Sequence, residues 1–309
     1  MSISRRDFLK LGSSLSVAAG MALATGSLTA REDRPPLPPP PLKPEGKKPR
    51  YRFSLDPREA QKEGLVVYNY GTHENSTPSA GLDGWYGLKG HNFAGCRSYP
   101  VADKKTISRE DVRKHWESRN VVPVFMTGAD PKSGAEAVRK SWDEAVRLNY
   151  PVLSIDEFYP APRTPVEYNR ELEKFRKEHP EIYIQVWEAS FAKGVAPDAF
   201  PQLEALTPFV DAYMPEVYWK WFKDDGERRK LLKNLIDRSR KMGAVDKLVI
   251  GLGTHDVPHI KKTMEDIPAI LDMEPEIGGL AFFVHMPGAS EEYDKLYAQL
   301  DEQLRGLFA

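Results

Sequence analysis

From Tyr51 onward, apolar, β-branched or aromatic runs recur along the chain. They fall at Leu65–Tyr70, Asn92–Cys96, Val121–Met126, Val152–Ile155, Ile182–Trp187, Val210–Met214, Leu248–Leu252 and Leu280–Val284. These eight runs lie about thirty residues apart, the length of one strand-helix unit. Most are apolar on consecutive rather than alternate positions, as expected of parallel strands covered on both faces.

The gaps carry helical signals. Ser108-Arg109-Glu110-Asp111 opens with a capping-box pattern, and Val112 and Trp116 share one helical face. Gly134 to Leu148 places Val138, Trp142, Ala145 and Val146 on one stripe. Thr164-Pro165-Val166-Glu167 starts a third helix, and Gly226–Met242, Thr263–Met273 and Ser290–Leu307 supply three more. Thr72 to His91 differs, being rich in Gly, Ser and Pro around Trp85-Tyr86, and it reads as a long loop of the functional kind. Eight strand-helix units from residue 51 to 309 predict an α/β fold, a single closed (β/α)8 TIM barrel, whose usual size is about 250 residues.

The segment ahead of the barrel has its own grammar. Ser4-Arg5-Arg6-Asp7-Phe8-Leu9-Lys10 matches the twin-arginine export motif, and a small-residue apolar stretch runs on to about Ala30. Ala22-Leu23-Ala24 is one candidate cleavage site and Leu28-Thr29-Ala30 a second. The stretch is too short and too rich in Gly and Ser for a stable membrane span. Residues 1–30 are therefore expected to be a signal peptide read by the twin-arginine translocation machinery, and the mature protein to be periplasmic or extracellular. Residues 31–50, with Pro35-Pro36-Leu37-Pro38-Pro39-Pro40-Pro41, read as an extended, semi-rigid linker.

Composition narrows the function classes. A net charge of -1 gives no reason to expect nucleic acid as a partner, which would favour a basic face. The single cysteine, Cys96, excludes an internal disulfide framework and is expected to pack as a small apolar group.

In such a barrel, the residues that end the strands line one face, where catalytic groups gather. Here those endings include Tyr70 and His73 after the first run, Asp156 and Glu157 after the fourth, and Trp187 and Glu188 after the fifth. Glu216, Tyr218, Trp219 and Trp221 follow the sixth, His255 the seventh and His285 the eighth. Acids among aromatics suit glycosidic bond cleavage. One carboxylic acid protonates the leaving oxygen while a second carboxylate attacks, or activates water, across the ring. Flat rings such as Trp187, Trp219 and Trp221 can stack on the C–H face of a sugar, with Tyr70, His73, Tyr218, His255 and His285 as further substrate contacts. The leading acid pair is Glu157 with Glu216, and Asp156 and Glu188 are the alternates. Only one of Asp156 and Glu157 can point into the mouth, because strand side chains alternate.

The later half resembles the barrel glycoside hydrolases, with a partial likeness to family 18 chitinases. Val210-Asp211-Ala212-Tyr213-Met214-Pro215-Glu216-Val217-Tyr218 is similar to that family's sixth strand. Lys247 to Gly253 is similar to its seventh, and Gly278-Gly279-Leu280-Ala281-Phe282-Phe283 to its eighth. The fourth strand departs: the family's D-x-x-D-x-D-x-E gives way to Ser154-Ile155-Asp156-Glu157-Phe158-Tyr159-Pro160. The resemblance thus implies a glycoside hydrolase-like barrel acting on a carbohydrate, and neither chitin nor a substrate-assisted mechanism is carried over. Together with the export motif, the expectation is an exported enzyme that needs no cofactor.

Two other classes compete. A metal-dependent sugar isomerase or hydrolase would use His73, Glu157, Glu188, His255 and His285, with His259 four residues beyond His255, although no H-E-x-x-H or H-x-H pair is present. A non-catalytic carbohydrate-binding barrel would keep the aromatics without a working acid pair.

Overall fold

The computed structural model describes residues 50–70, 92–96, 108–129, 132–158, 166–188, 204–283 and 289–309. The export motif, the proline-rich run, the loop from Thr72 to His91 and the Thr164-Pro165 helix start lie outside these residues, as do His73 and His285.

Each apolar run becomes a strand within a residue or two of the sequence reading. In order they are β1 (Val66–Tyr70), β2 (Phe93–Cys96), β3 (Val122–Gly128), β4 (Val152–Asp156), β5 (Tyr183–Glu188), β6 (Ala212–Pro215), β7 (Val249–Gly253) and β8 (Gly279–Phe283). They form one eight-stranded sheet in the order β6-β5-β4-β3-β2-β1-β8-β7, and every pair is parallel. Parallel bridges Tyr213↔Leu248 and Glu216↔Gly251 join the two ends, so the sheet closes on itself. The fold is a single (β/α)8 barrel.

Helices α1 (Pro57–Glu63), α2 (Arg109–Ser118), α3 (Ala135–Arg147), α4 (Val166–Glu178), α5 (Asp225–Lys241), α6 (Val257–Met273) and α7 (Glu291–Phe308) are described in full. Their starts follow from side-chain caps. Ser108, Asp224, Asp256 and Ser290 each accept from the backbone N–H three residues on, at 2.9–3.1 Å. Each such cap is worth about 1 kcal/mol. Helix α6 begins six residues before the expected Thr263, because Asp256 caps it and Pro258 fits its first turn. Helix α1 was not anticipated, yet Asp56-Pro57 is a cap followed by a first-turn proline.

Alternation sorts the strand residues into two cores. Val67, Phe125, Leu153, Ile155, Ile184, Val186, Ile250 and Phe282 join the layer between sheet and helices, with Trp142, Phe175, Ile267 and Leu300. Val66, Tyr68, Phe93, Val124, Met126, Val152, Tyr183, Met214, Val249 and Ala281 fill the barrel itself. Ala60 of α1 joins this inner core from below.

Helix α1 is held there by Arg58, whose guanidinium donates to the carbonyls of Pro180, Glu181 and Ile182. Gln61 Nε2 adds bonds to the carbonyls of Asp211 (2.5 Å) and Asp246 (2.8 Å). These contacts seat α1 under the N-terminal ends of the strands. The chemistry-bearing side chains gather at the opposite end.

Burial pushes the hydroxyls of Tyr183, Tyr213 and Tyr297 well above the ordinary tyrosine value near 10. A native pKa raised above the unfolded one stabilises fully below pH ~10, and that stability is lost as pH rises further. Tyr183 lies inside the barrel, and its hydroxyl has no hydrogen-bond partner among the described residues. Tyr183→Phe should therefore leave stability at pH 7 intact. Above pH 10 it should flatten the fall in stability by up to about 1.4 kcal/mol per pH unit. Denaturant melts at pH 7 and across pH 9–11.5 check this; an unchanged alkaline slope contradicts it.

Candidate active site

The same alternation assigns the acids. Val152 belongs to the inner core and Leu153 and Ile155 to the outer one, so Asp156, the last residue of β4, faces inward. It is 5% exposed, and Tyr70 donates its hydroxyl to Asp156 Oδ2 at 3.2 Å. Glu157 comes after the strand has ended, in a left-handed conformation with φ 53, and is half-buried. A non-glycine residue there marks a forced turn at a strand tip. Of the two adjacent acids, β4 thus delivers Asp156 rather than Glu157 to the inner face.

Glu216 shares the parity of Ala212, Met214 and Tyr218, all inner-core residues, and is 1% exposed. Its N–H donates to the Glu188 carbonyl at 2.9 Å, and it bridges to Gly251 across the closing seam. Glu188 takes the other parity, with Ile184 and Val186, and is fully buried toward the helix layer. Asp156 and Glu216 are therefore the acids whose backbone positions share the inner face.

Aromatic rings connect to Asp156. Tyr70 meets Trp187 edge-on at 5.7 Å and Phe283 at 4.9 Å. Phe283 stacks on Tyr218 at 5.5 Å with an interplanar angle of 16°. Tyr218 also packs on Trp221 at 4.5 Å and on His255 at 5.1 Å. His255 in turn touches Phe283 at 5.3 Å, and its Nε2 lies 3.4 Å from Lys220 Nζ. The result is a wall built from the C-terminal ends of β1, β5 and β8 and the segments after β6 and β7. Asp156 is tied into it through Tyr70.

Trp219 stands apart from the wall. Its indole N–H donates to Asp266 Oδ2 at 2.8 Å, and the Arg228 guanidinium lies 4.3 Å over its ring. It packs against α5 and α6. Phe283 and Arg228 were not singled out from sequence. The register puts Phe283 on the inner parity with Ala281, and nothing local in the sequence marks either Phe283 or Arg228.

Two glycines make room for the wall. A Cβ on Gly251 would sit 3.0 Å from the Pro215 carbonyl and 3.1 Å from the Trp187 ring. One on Gly253 would lie 2.7 Å from His255 Nδ1 and 3.3 Å from Tyr218. Among the described residues, no group of three or more His, Cys, Asp or Glu side chains is arranged to hold a metal ion. Asp256, near His255, instead accepts the His259 backbone N–H as a helix cap, with its carboxylate 2.6 Å from His259 Nδ1. No described helix is long and apolar enough to cross a membrane.

No protein-family model matches the chain, and no curated protein matches its sequence. Solved structures do match. Active domain 2 of a chitinase from Pyrococcus furiosus superposes with a TM-score of 0.53 at 13% identity, over 77% of this chain and 96% of that one. The catalytic domain of a family GH18 chitinase from the fern Peteris ryukyuensis gives 0.52 at 10% identity, over 78% and 100%. The spore cortex-lytic enzyme SleL of Bacillus megaterium gives 0.50 at 9%, over 77% and 73%. At these identities the likeness establishes the shared barrel fold.

Gly251→Ala should destabilise the protein by about 1–3 kcal/mol, because the added methyl displaces Trp187 or the closing strand. Gly306→Ala, a helical glycine with nothing within 4 Å, should instead stabilise it by about 0.5–1 kcal/mol. Chemical denaturation of both variants, with near-ultraviolet circular dichroism of the first, tests the packing assigned to Trp187. Equal stabilities for Gly251→Ala and wild type would refute it.

Proposed function

We propose that the chain is an exported glycoside hydrolase-like enzyme that cleaves a glycosidic bond at the C-terminal face of its barrel. Asp156 and Glu216 form the leading carboxylate pair. One observation carries the reading: Asp156 ends β4 facing inward, hydrogen-bonded by Tyr70 and continuous with the rings of Phe283, Tyr218 and Trp221. A carboxyl group in that position can hand a proton to a leaving oxygen, while a second carboxylate attacks the anomeric carbon or activates water. Phe283 and Tyr218 are buried behind Trp221, which is half-buried and offers an apolar face on which a pyranose can lie. The barrel likeness to proteins described as chitinases raises the prior for this chemistry. Export rests on the twin-arginine pattern at Ser4–Lys10, with translocation machinery as the partner and the periplasm or exterior as the destination.

A second reading is a carbohydrate-binding barrel without turnover. It is favoured by the 1% exposure of Glu216, which leaves little of that acid open to a substrate.

Wild type, Asp156→Asn, Glu216→Gln and Glu188→Gln should be assayed against a panel of oligosaccharides that includes chito-oligosaccharides. Asp156→Asn is expected to lower kcat by about 100-fold or more while retaining binding, in line with loss of a general acid or base. Glu216→Gln should behave similarly, and Glu188→Gln should keep kcat within about threefold on the geometry of alternation. Binding by wild type without cleavage of any glycan hands the case to the binding barrel. Cleavage unaffected by Asp156→Asn removes Asp156 from the chemistry.

A further inference from the structure

The segment after β6 makes one 3-10 turn, η1 (Trp219–Trp221), and that turn has two faces. A 3-10 helix repeats every three residues, so side chains three apart eclipse one another. Tyr218 and Trp221 are three apart and pack at 4.5 Å, tilted by 37°, within the aromatic wall. Trp219, about a third of a turn away, points to the helices. There it meets an ion pair buried between α5 and α6: Arg228 is fully buried, Asp266 is 5% exposed, and their charged groups lie 2.5 Å apart.

The grip is doubled. Asp266 accepts the Trp219 indole N–H at 2.8 Å, and Arg228 lies over the same ring. Arg228 Nε also donates to the Val217 carbonyl at 3.3 Å. The residues on either side of Tyr218 are thus both held by Arg228. Lys262 of α6 adds a second cation over Trp219 at 5.0 Å.

A buried ion pair is a poor source of net stability, since apolar residues of similar size often replace it without loss. Burial pushes the Asp266 carboxyl above its ordinary value even with Arg228 beside it, so the site carries a desolvation cost. The contacts point to what the pair does instead: it fixes a ring. We propose that Arg228 and Asp266 are positioning residues, which clamp Trp219 and so hold the half-buried Trp221, backed by the buried Tyr218, toward a carbohydrate ring. On this account Trp219 is the anchor of the sugar platform and not part of its surface. The carbohydrate half of the proposal rests on the hydrolase reading above; the clamp itself does not.

The test pairs Arg228→Met/Asp266→Leu with Trp219→Phe, which keeps an aromatic ring but removes the N–H donor. Protein labelled with 5-fluorotryptophan reports the surroundings of Trp221 by 19F resonance, assigned through Trp221→Phe. The double variant is expected to keep a Tm close to wild type while its Trp221 resonance shifts or broadens. Trp219→Phe should move the same resonance in a protein of near-native Tm. Where a glycan is turned over, KM should rise about tenfold in both variants with kcat within about threefold, the loss of one aromatic stacking contact.

A Trp221 resonance coincident with wild type in either folded variant overturns the clamp. A KM that returns to the wild-type value in a double variant of wild-type Tm does so as well. If the double variant does not fold, Trp219→Phe decides the matter alone. If wild type turns over no glycan, the hydrolase reading fails, and the 19F comparison still decides the clamp.

Discussion

The seam between β6 and β7 is the constraint on which the mouth of this barrel depends. The bridges Tyr213↔Leu248 and Glu216↔Gly251, with the bond from Val217 N–H to the Gly251 carbonyl, join the two ends of the sheet. A closed parallel sheet leaves no edge, and it fixes which side of every strand faces inward. Gly251 at the seam is small where the Trp187 ring presses in. Were the seam to slip by one residue, β6 would turn Glu216 outward and Val217 inward. The pairing that closes the fold therefore also selects the acids of the candidate site.

Above the seam, chemistry is layered on packing. Asp156 is held by Tyr70, Tyr70 touches Trp187 and Phe283, and Phe283 stacks on Tyr218. Each ring is positioned by a different strand or the segment that follows it, so the wall exists only in the closed barrel. The opposite end is sealed by α1 and its Arg58 and Gln61 bonds to strand-approach carbonyls. This asymmetry between a tied-off base and an aromatic mouth agrees with where barrels of this class put their function.

Much of the architecture was legible in the sequence. The apolar runs gave the strands, and the Ser108 and Ser290 caps gave two helix starts, because both signals are local. Helix α1 is seven residues long with Ala60 as its one apolar side chain beyond the first-turn proline, so only the Asp56-Pro57 cap marks it in the sequence. The site was harder to read for a physical reason. Strands buried on both faces are apolar at consecutive positions, so their pattern does not say which residues face in. Asp156 against Glu157, and Glu216 against Glu188, could be decided only by the register. The contacts of Trp219 were hidden for a related reason: nothing in the local pattern places Arg228 or Asp266 beside its ring.

The most direct test of the central claim is a crystal structure of Asp156→Asn with a bound oligosaccharide. The account predicts a glycosidic oxygen within hydrogen-bonding reach of the residue 156 side chain and a sugar ring lying on Trp221. A sugar bound elsewhere on the barrel, with residue 156 and this wall untouched, would contradict it.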